Sequence, residues 1–190
     1  RKPIPSTGEL VPAIGMGTWI TFNVGDDAQV SPFIVRKEQL LQSASFWKSP
    51  NYNYYITGVA VGDVDGDGQM ETVIVSPDDI YIYRFQNDRF VQIQRFKKIE
   101  DRYNIAVDVA DINGNGRAEI FVTALNRYKN VVYSFVEEYD GTDYAVIAKD
   151  QPWFFRVTDT PVRGEVLLGQ QSRLWKPYGG DIFEMQWDGS

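Results

Sequence analysis

From Ile56 onward the chain alternates short apolar runs with polar turns at a steady pace. Residues 56–61, 71–75, 80–85 and 90–95 each read as strands. In the last of them Val91 and Ile93 alternate with Gln92 and Gln94, the two-residue period of a half-buried strand. Pro77-Asp78-Asp79 and the polar stretch 86–89 mark turns between them. A second set follows, with strands predicted at 105–110, 119–124, 130–136 and 143–148 and a turn at Asp140-Gly141. A third, degenerate set begins near Trp153, with strands predicted at 154–157, 164–168 and 181–187. Before residue 50 the pattern is weaker. Strands are predicted at 17–24 and 33–35 and a short helical turn at 37–45, after a proline-bearing lead-in (Pro3, Pro5, Pro12) over 1–15.

Four short strands every ~40 to 50 residues mark a β-propeller blade, a unit that must stack on its neighbours to cover both faces. The expected class is therefore all-β, with blades of four antiparallel strands over 56–98, 104–150 and 153–189 and a partial blade over 16–50. About four such units fit in 190 residues. The chain is thus either a segment of a larger propeller or a closed four-bladed one. It begins with Arg1 rather than Met, which favours the segment and a processed or longer parent.

Composition supports strands and removes several chemistries. Aromatic residues make up 14%, and they favour strands. The chain has neither Cys nor His. Thiolate nucleophiles, Cys or His zinc sites, Ser-His-Asp triads and His-ligated haem are therefore excluded. A net charge of −7 argues against nucleic acid as a partner. No apolar run approaches the ~18 residues of a membrane span, and no signal peptide is visible.

The turn between the first two strands of each full set carries the chemistry. Asp63, Asp65, Asp67 and Glu71 stand at loop positions 1, 3, 5 and 9. Forty-eight residues later Asp111, Asn113, Asn115 and Glu119 stand at the same positions. Glycines fill positions 4 and 6 of both loops. Calcium takes about six to eight oxygen ligands, and a short loop supplies them when alternate residues turn inward and glycines allow sharp bends. Position 7, Gln69 in the first loop and Arg117 in the second, belongs to the same ligand set; Gln69 is expected to act through its backbone carbonyl. Two bound calcium ions would bring the formal charge from −7 to −3. With four carboxylates against two, the first loop is expected to bind more tightly. An EF-hand opens similarly but needs a bidentate Glu at position 12 and flanking helices. Here position 12 is Ile74 or Val122, and the flanks read as strands. Plain Asp-Gly and Asn-Gly hairpin turns remain the simpler reading, but they need no Glu at position 9.

The strings Val-Ala-Val-Gly-Asp-Val-Asp-Gly-Asp-Gly-Gln-Met-Glu-Thr-Val-Ile-Val over 59–75 and Val-Ala-Asp-Ile-Asn-Gly-Asn-Gly-Arg-Ala-Glu-Ile-Phe-Val over 109–122 resemble FG-GAP/VCBS repeats, the calcium-loop blades of integrin-α-like propellers. The resemblance implies a propeller, usually seven-bladed, with calcium in the loops and a cell-surface or otherwise extracytoplasmic setting. The third copy, around Asp159 to Glu165, has lost the ligand spacing, so no metal is carried over to it.

The expected function is a non-enzymatic calcium-binding module, holding one or two ions, that engages a protein or glycan. The alternative is an accessory propeller of a larger extracellular enzyme. Carboxylate pairs can run glycosidase chemistry, but every well-patterned carboxylate here is better used on metal. Tyr52, Tyr54 and Tyr55 with Trp47 offer either an aromatic binding platform or strand residues packing between blades. The basic run Arg95 to Arg102 reads as a solvated turn.

Overall fold

Two-residue periodicity broken by tight polar turns gives hairpins, and hairpins in succession give meanders. The computed structural model describes residues 2–3, 10–11, 49–87, 89–96, 101–128, 130–172 and 179–188. In the lead-in, β1 (Lys2–Pro3) and β2 (Leu10–Val11) pair antiparallel. The strands expected at 17–24 and 33–35, the helical turn at 37–45 and nearly all of the partial blade at 16–50 lie outside the described residues.

The remainder forms three antiparallel sheets, with no helix among the described residues. The first contains β3 (Gly58–Gly62), β4 (Glu71–Val75), β5 (Ile80–Gln86) and β6 (Arg89–Phe96) in chain order. The second contains β7 (Arg102–Ala110), β8 (Glu119–Asn126), β9 (Ser134–Tyr139) and β10 (Tyr144–Gln151), also in chain order. The third contains β11 (Trp153–Thr160), β12 (Gly164–Gln171) and β13 (Ile182–Met185). The strand expected at 130–136 starts only at Ser134. The Asn126 side chain accepts the backbone N–H groups of Asn130 (3.0 Å) and Val131 (3.3 Å), which holds that stretch in a loop.

The sheets stack in chain order as a propeller-like segment, β3 against β7 and β7 against β11. Strand alternation divides the side chains of β8 between two cores. Ile120, Val122 and Ala124 join Val73, Val75, Ile82 and Phe135 between the first and second sheets. Phe121 points the other way, packing with Val136, Phe155 and Leu167 against the third sheet. A strand covered on both faces reads as an unbroken apolar run, as 120–122 does. Burying each such side chain contributes about 1.5–3 kcal/mol.

Close backbone approach and polar ties fix the stacking. A Cβ at Gly58 would lie 2.8 Å from the backbone nitrogen of Val107, so β3 meets β7 where only glycine fits. Asp108 accepts from Arg156 Nη1 (3.1 Å) and from the Val157 backbone (3.3 Å). Thr123 Oγ1 accepts the Phe155 N–H at 3.0 Å.

On the outer face of the first sheet, Tyr52 and Tyr54 pack against Ile74, Tyr81 and Tyr83. Tyr54 stacks on Tyr81 with ring centres 4.2 Å apart. These two tyrosines precede β3 rather than lying in a strand, and they cover the sheet instead of forming an open platform. Tyr55 is exposed, and Trp47 lies outside the described residues. The basic run is not uniformly solvated either. Arg102 is buried, donating to Tyr133 O (3.0 Å) and pairing with Asp150.

Candidate metal centre

Each loop follows directly from its hairpin. β3 and β7 run into position 1, and β4 and β8 begin at position 9 with Glu71 and Glu119. The glycines at positions 4 and 6 adopt φ of 76° and 82° in the first loop and 76° and 86° in the second. That left-handed backbone is open to glycine at no steric cost.

The two loops share one hydrogen-bond pattern. Asp63 accepts the N–H groups of Gly66 (2.8 Å), Asp67 (3.1 Å) and Gly68 (2.8 Å). Asp111 accepts those of Gly114 (2.8 Å), Asn115 (3.1 Å) and Gly116 (2.8 Å). At position 3, Asp65 and Asn113 accept from the N–H of position 5 at 3.2 and 2.9 Å. At position 5, Asp67 and Asn115 accept from the N–H of Gln69 and Arg117, each at 2.9 Å. The position 9 carboxylate reaches back to the N–H of position 2: Glu71 to Val64 at 3.2 Å, Glu119 to Ile112 at 2.8 Å. Plain hairpin turns would not need this closing glutamate, which is fully buried in both loops. The loops also dock on each other, the Ala118 N–H donating to Asp63 O at 2.9 Å.

The loops differ in what faces them from the next strand. Register sets Arg84 on β5 directly opposite Glu71. Its guanidinium donates through Nε to Glu71 Oε1 (2.8 Å) and through Nη2 to Asp65 Oδ2 (2.8 Å), and its Nη1 lies 2.8 Å from Asp67 Oδ2. Burial pushes the Glu71 carboxyl above its ordinary range, and the contact with Arg84 pulls against that shift. In the second sheet Ile120 pairs with Glu137. One step along that register sets Glu138, not an arginine, beside Glu119. Glu138 Oε1 accepts from Asn113 Nδ2 (3.3 Å) and from Asn115 Nδ2. Glu119 Oε1 is buried without a hydrogen-bond partner. Burial raises the Glu119 carboxyl to about 7; the Ile112 N–H lowers it, and the carboxylates of Glu138 and Asp111 add to the rise.

The family model for FG-GAP-like repeats matches residues 63–122, from position 1 of the first loop into the strand that leaves the second. Residues 63–122 are thus similar to an FG-GAP-like repeat. The match is consistent with the FG-GAP/VCBS family. A search of the curated proteins finds no match. No helix among the described residues is long and apolar enough to cross a membrane.

Within this matched stretch, the fit to a cation differs between loops. Asp63, Asp65 and Glu71 bring carboxylate oxygens within 4.8 Å of one another, a donor set that could hold a metal ion. Arg84 bonds two of these three and Asp67 as well, so an organic cation already serves most of that set. In the second loop Glu138 accepts from both asparagines and one buried Glu119 oxygen has no hydrogen-bond partner, but its acids do not form a comparable cluster among the described residues. Neither position 7 side chain joins its cluster as an acid. The Gln69 amide donates to Asp67 Oδ2 at 3.1 Å, and the Arg117 side chain lies against Gly66 and Gly141. Sequence reasoning missed Arg84 and Glu138, both of which belong to the strand after the loop's own hairpin. In the third copy, Asp159 pairs with Glu165 and Thr160 with Gly164 in a short hairpin that makes no such loop.

Proposed function

We propose that this chain is a non-enzymatic, calcium-binding β-propeller segment that engages a protein or glycan outside the cytoplasm. Calcium rigidifies the ends of the first two blades, and the surface they present makes the contact. One observation carries the reading: two loops 48 residues apart repeat the same hydrogen-bond pattern, each closed by a buried glutamate, at equivalent corners of successive four-stranded sheets. FG-GAP-like repeats are generally structural or binding modules, which agrees with a chain that carries no Cys or His for catalysis. The larger propeller, usually of seven blades, and the extracytoplasmic setting come from the same family likeness. The runner-up, an accessory propeller of an extracellular enzyme, shares every feature of this site and differs only in what the parent chain carries beyond it.

A cation that binds only the folded state stabilises it by mass action. At a hundredfold excess over the dissociation constant this amounts to about 2.7 kcal/mol. Calcium should therefore raise the melting temperature by roughly 5–10 °C over an EGTA control. An identical melt in calcium and in EGTA would remove calcium from the proposal.

A further inference from the structure

We infer that a cavity at the end of the second sheet, away from its acidic loop, is a glycan-binding site that takes a neutral saccharide, stacked on Tyr128 and bonded through its hydroxyls by Asp101 and Arg127. The inference narrows the protein or glycan ligand proposed above to a glycan and rests on that reading, but it needs no metal ion. Register sets the place. Ala110 pairs with Glu119 at the loop end of β7 and β8, and Arg102 pairs with Asn126 at the other end. There the turn entering β7, the link between β8 and β9 and the last residues of β10 border an open cavity of about 480 Å³. That volume lies within the ~300–1,000 Å³ of ligand pockets. Arg102 builds the wall. It is buried, its Nη1 donates to Tyr133 O at 3.0 Å, its Nη2 pairs with Asp150, and its guanidinium lies 5.4 Å from the Phe135 ring centre. One fixed cation thus ties the β8–β9 link and β10 to β7.

Other groups lining the cavity are left for a ligand. The Asp101 and Arg127 side chains are exposed and make no hydrogen bond or ion pair among the described residues. Tyr128 is 83% exposed and Tyr133 39%. Two of the three non-glycine residues with left-handed backbone among the described residues, Asp101 (φ 62°) and Asp150 (φ 58°), also line it. Such backbone is uncommon outside glycine, and residues held in it cluster at functional sites. The chemistry of these groups selects the ligand. Asp101 and Asp150 offset Arg102 and Arg127, so a charged ligand meets no net charge of opposite sign. A carboxylate only accepts hydrogen bonds and a guanidinium only donates them, whereas a hydroxyl does both. Neighbouring hydroxyls on a sugar ring can therefore donate to Asp101 and accept from Arg127. The C–H face of the ring covers an aromatic side chain, and tyrosine offers that area with little rotamer freedom to lose.

An oligosaccharide array probed with the full chain tests this. It should carry neutral tri- and tetrasaccharides of glucose, galactose, mannose, xylose and N-acetylglucosamine beside uronic-acid and sialylated ones. At least one neutral member should bind, and calorimetric titration with that member then compares two variants. Tyr128→Ala should weaken binding at least about tenfold. Asp101→Asn, which keeps a side chain that tolerates left-handed backbone, should weaken it several-fold. Both changes fall on exposed side chains, so the melting temperature should stay at the wild-type value. No binding, binding of acidic members alone, or unchanged affinity in both variants would overturn the site. Calcium melts of the same protein separate the two readings. A melt raised by calcium without glycan binding would remove this inference and leave the calcium-binding reading in place.

Discussion

Arg84 and Glu71 face each other across β5 and β4, joined by Nε–Oε1 and Nη2–Oε1 contacts of 2.8 and 2.7 Å, and the same guanidinium reaches Asp65 and Asp67. One basic side chain thereby contacts three of the loop's four carboxylates. Glu71 is fully buried and the Arg84 side chain is 17% exposed, so little of this pairing is screened by water.

Arg84→Met should therefore be costly when divalent cations are absent. Removing one partner of a buried pair leaves uncompensated charge, typically about 3–5 kcal/mol. Chemical denaturation in EGTA should show a loss on the order of 3 kcal/mol, and calcium should restore part of it. A loss well under about 1 kcal/mol would mark the pair as one screened by solvent.

Glu137 gives the protein a pH dependence of its own. It lies one residue from Glu138 but on the opposite face of β9, on the side of Phe135, and it is buried. Burial alone raises its carboxyl from 4.5 to about 7. The folded state thus holds this proton more tightly than the unfolded chain. The contribution is fully present below pH 4.5 and is lost as pH rises through 7, in total about 3 kcal/mol. Glu137→Gln should flatten that segment of the profile, which denaturation in EGTA at pH 5 and pH 8 would reveal. Parallel pH profiles for the two proteins would contradict the burial argument.

Gly58→Ala tests the approach of the first sheet to the second. The added methyl would meet Val107 N at 2.8 Å, Val75 Cγ2 at 3.1 Å and Ala106 C at 3.2 Å. Two of these are backbone atoms, which cannot simply rotate away. Overpacking of this kind costs about 1–3 kcal/mol, so the melting temperature should fall by several degrees. An unchanged melt would mean that β3 and β7 stand further apart.

Phe121→Ala tests the packing of the second sheet on the third. Phe121 is 1% exposed and sits edge-on to Phe155 at 5.7 Å. Truncation of a buried phenylalanine costs about 3–5 kcal/mol. A cost near zero in denaturant titration would show that the third sheet does not cover this face.

The loops were legible because they are local. The acid spacing, the two glycines and the closing glutamate lie within nine residues, and each has a chemical reason to be there. Glu71 at the start of β4 and Glu119 at the start of β8 fall where the apolar pattern predicts strands to begin. The residues that set the loops apart come from strand pairing. Arg84 was within reach: the four-residue turn closed by Ser76 pairs Val75 with Ile80, and counting outward pairs Glu71 with Arg84. Glu138 was not, because the link between β8 and β9 is an irregular loop held by Asn126, and no turn rule fixes its register. The exposed look of Arg102 misled for a similar reason. Its partners, Tyr133 and Asp150, lie 31 and 48 residues away.

Equilibrium dialysis of the full chain against calcium, with EGTA-treated protein as the reference, tests the central claim most directly. The account predicts saturable binding of one or two ions per chain. A chain that retains no calcium above the dialysate at millimolar concentration would contradict it.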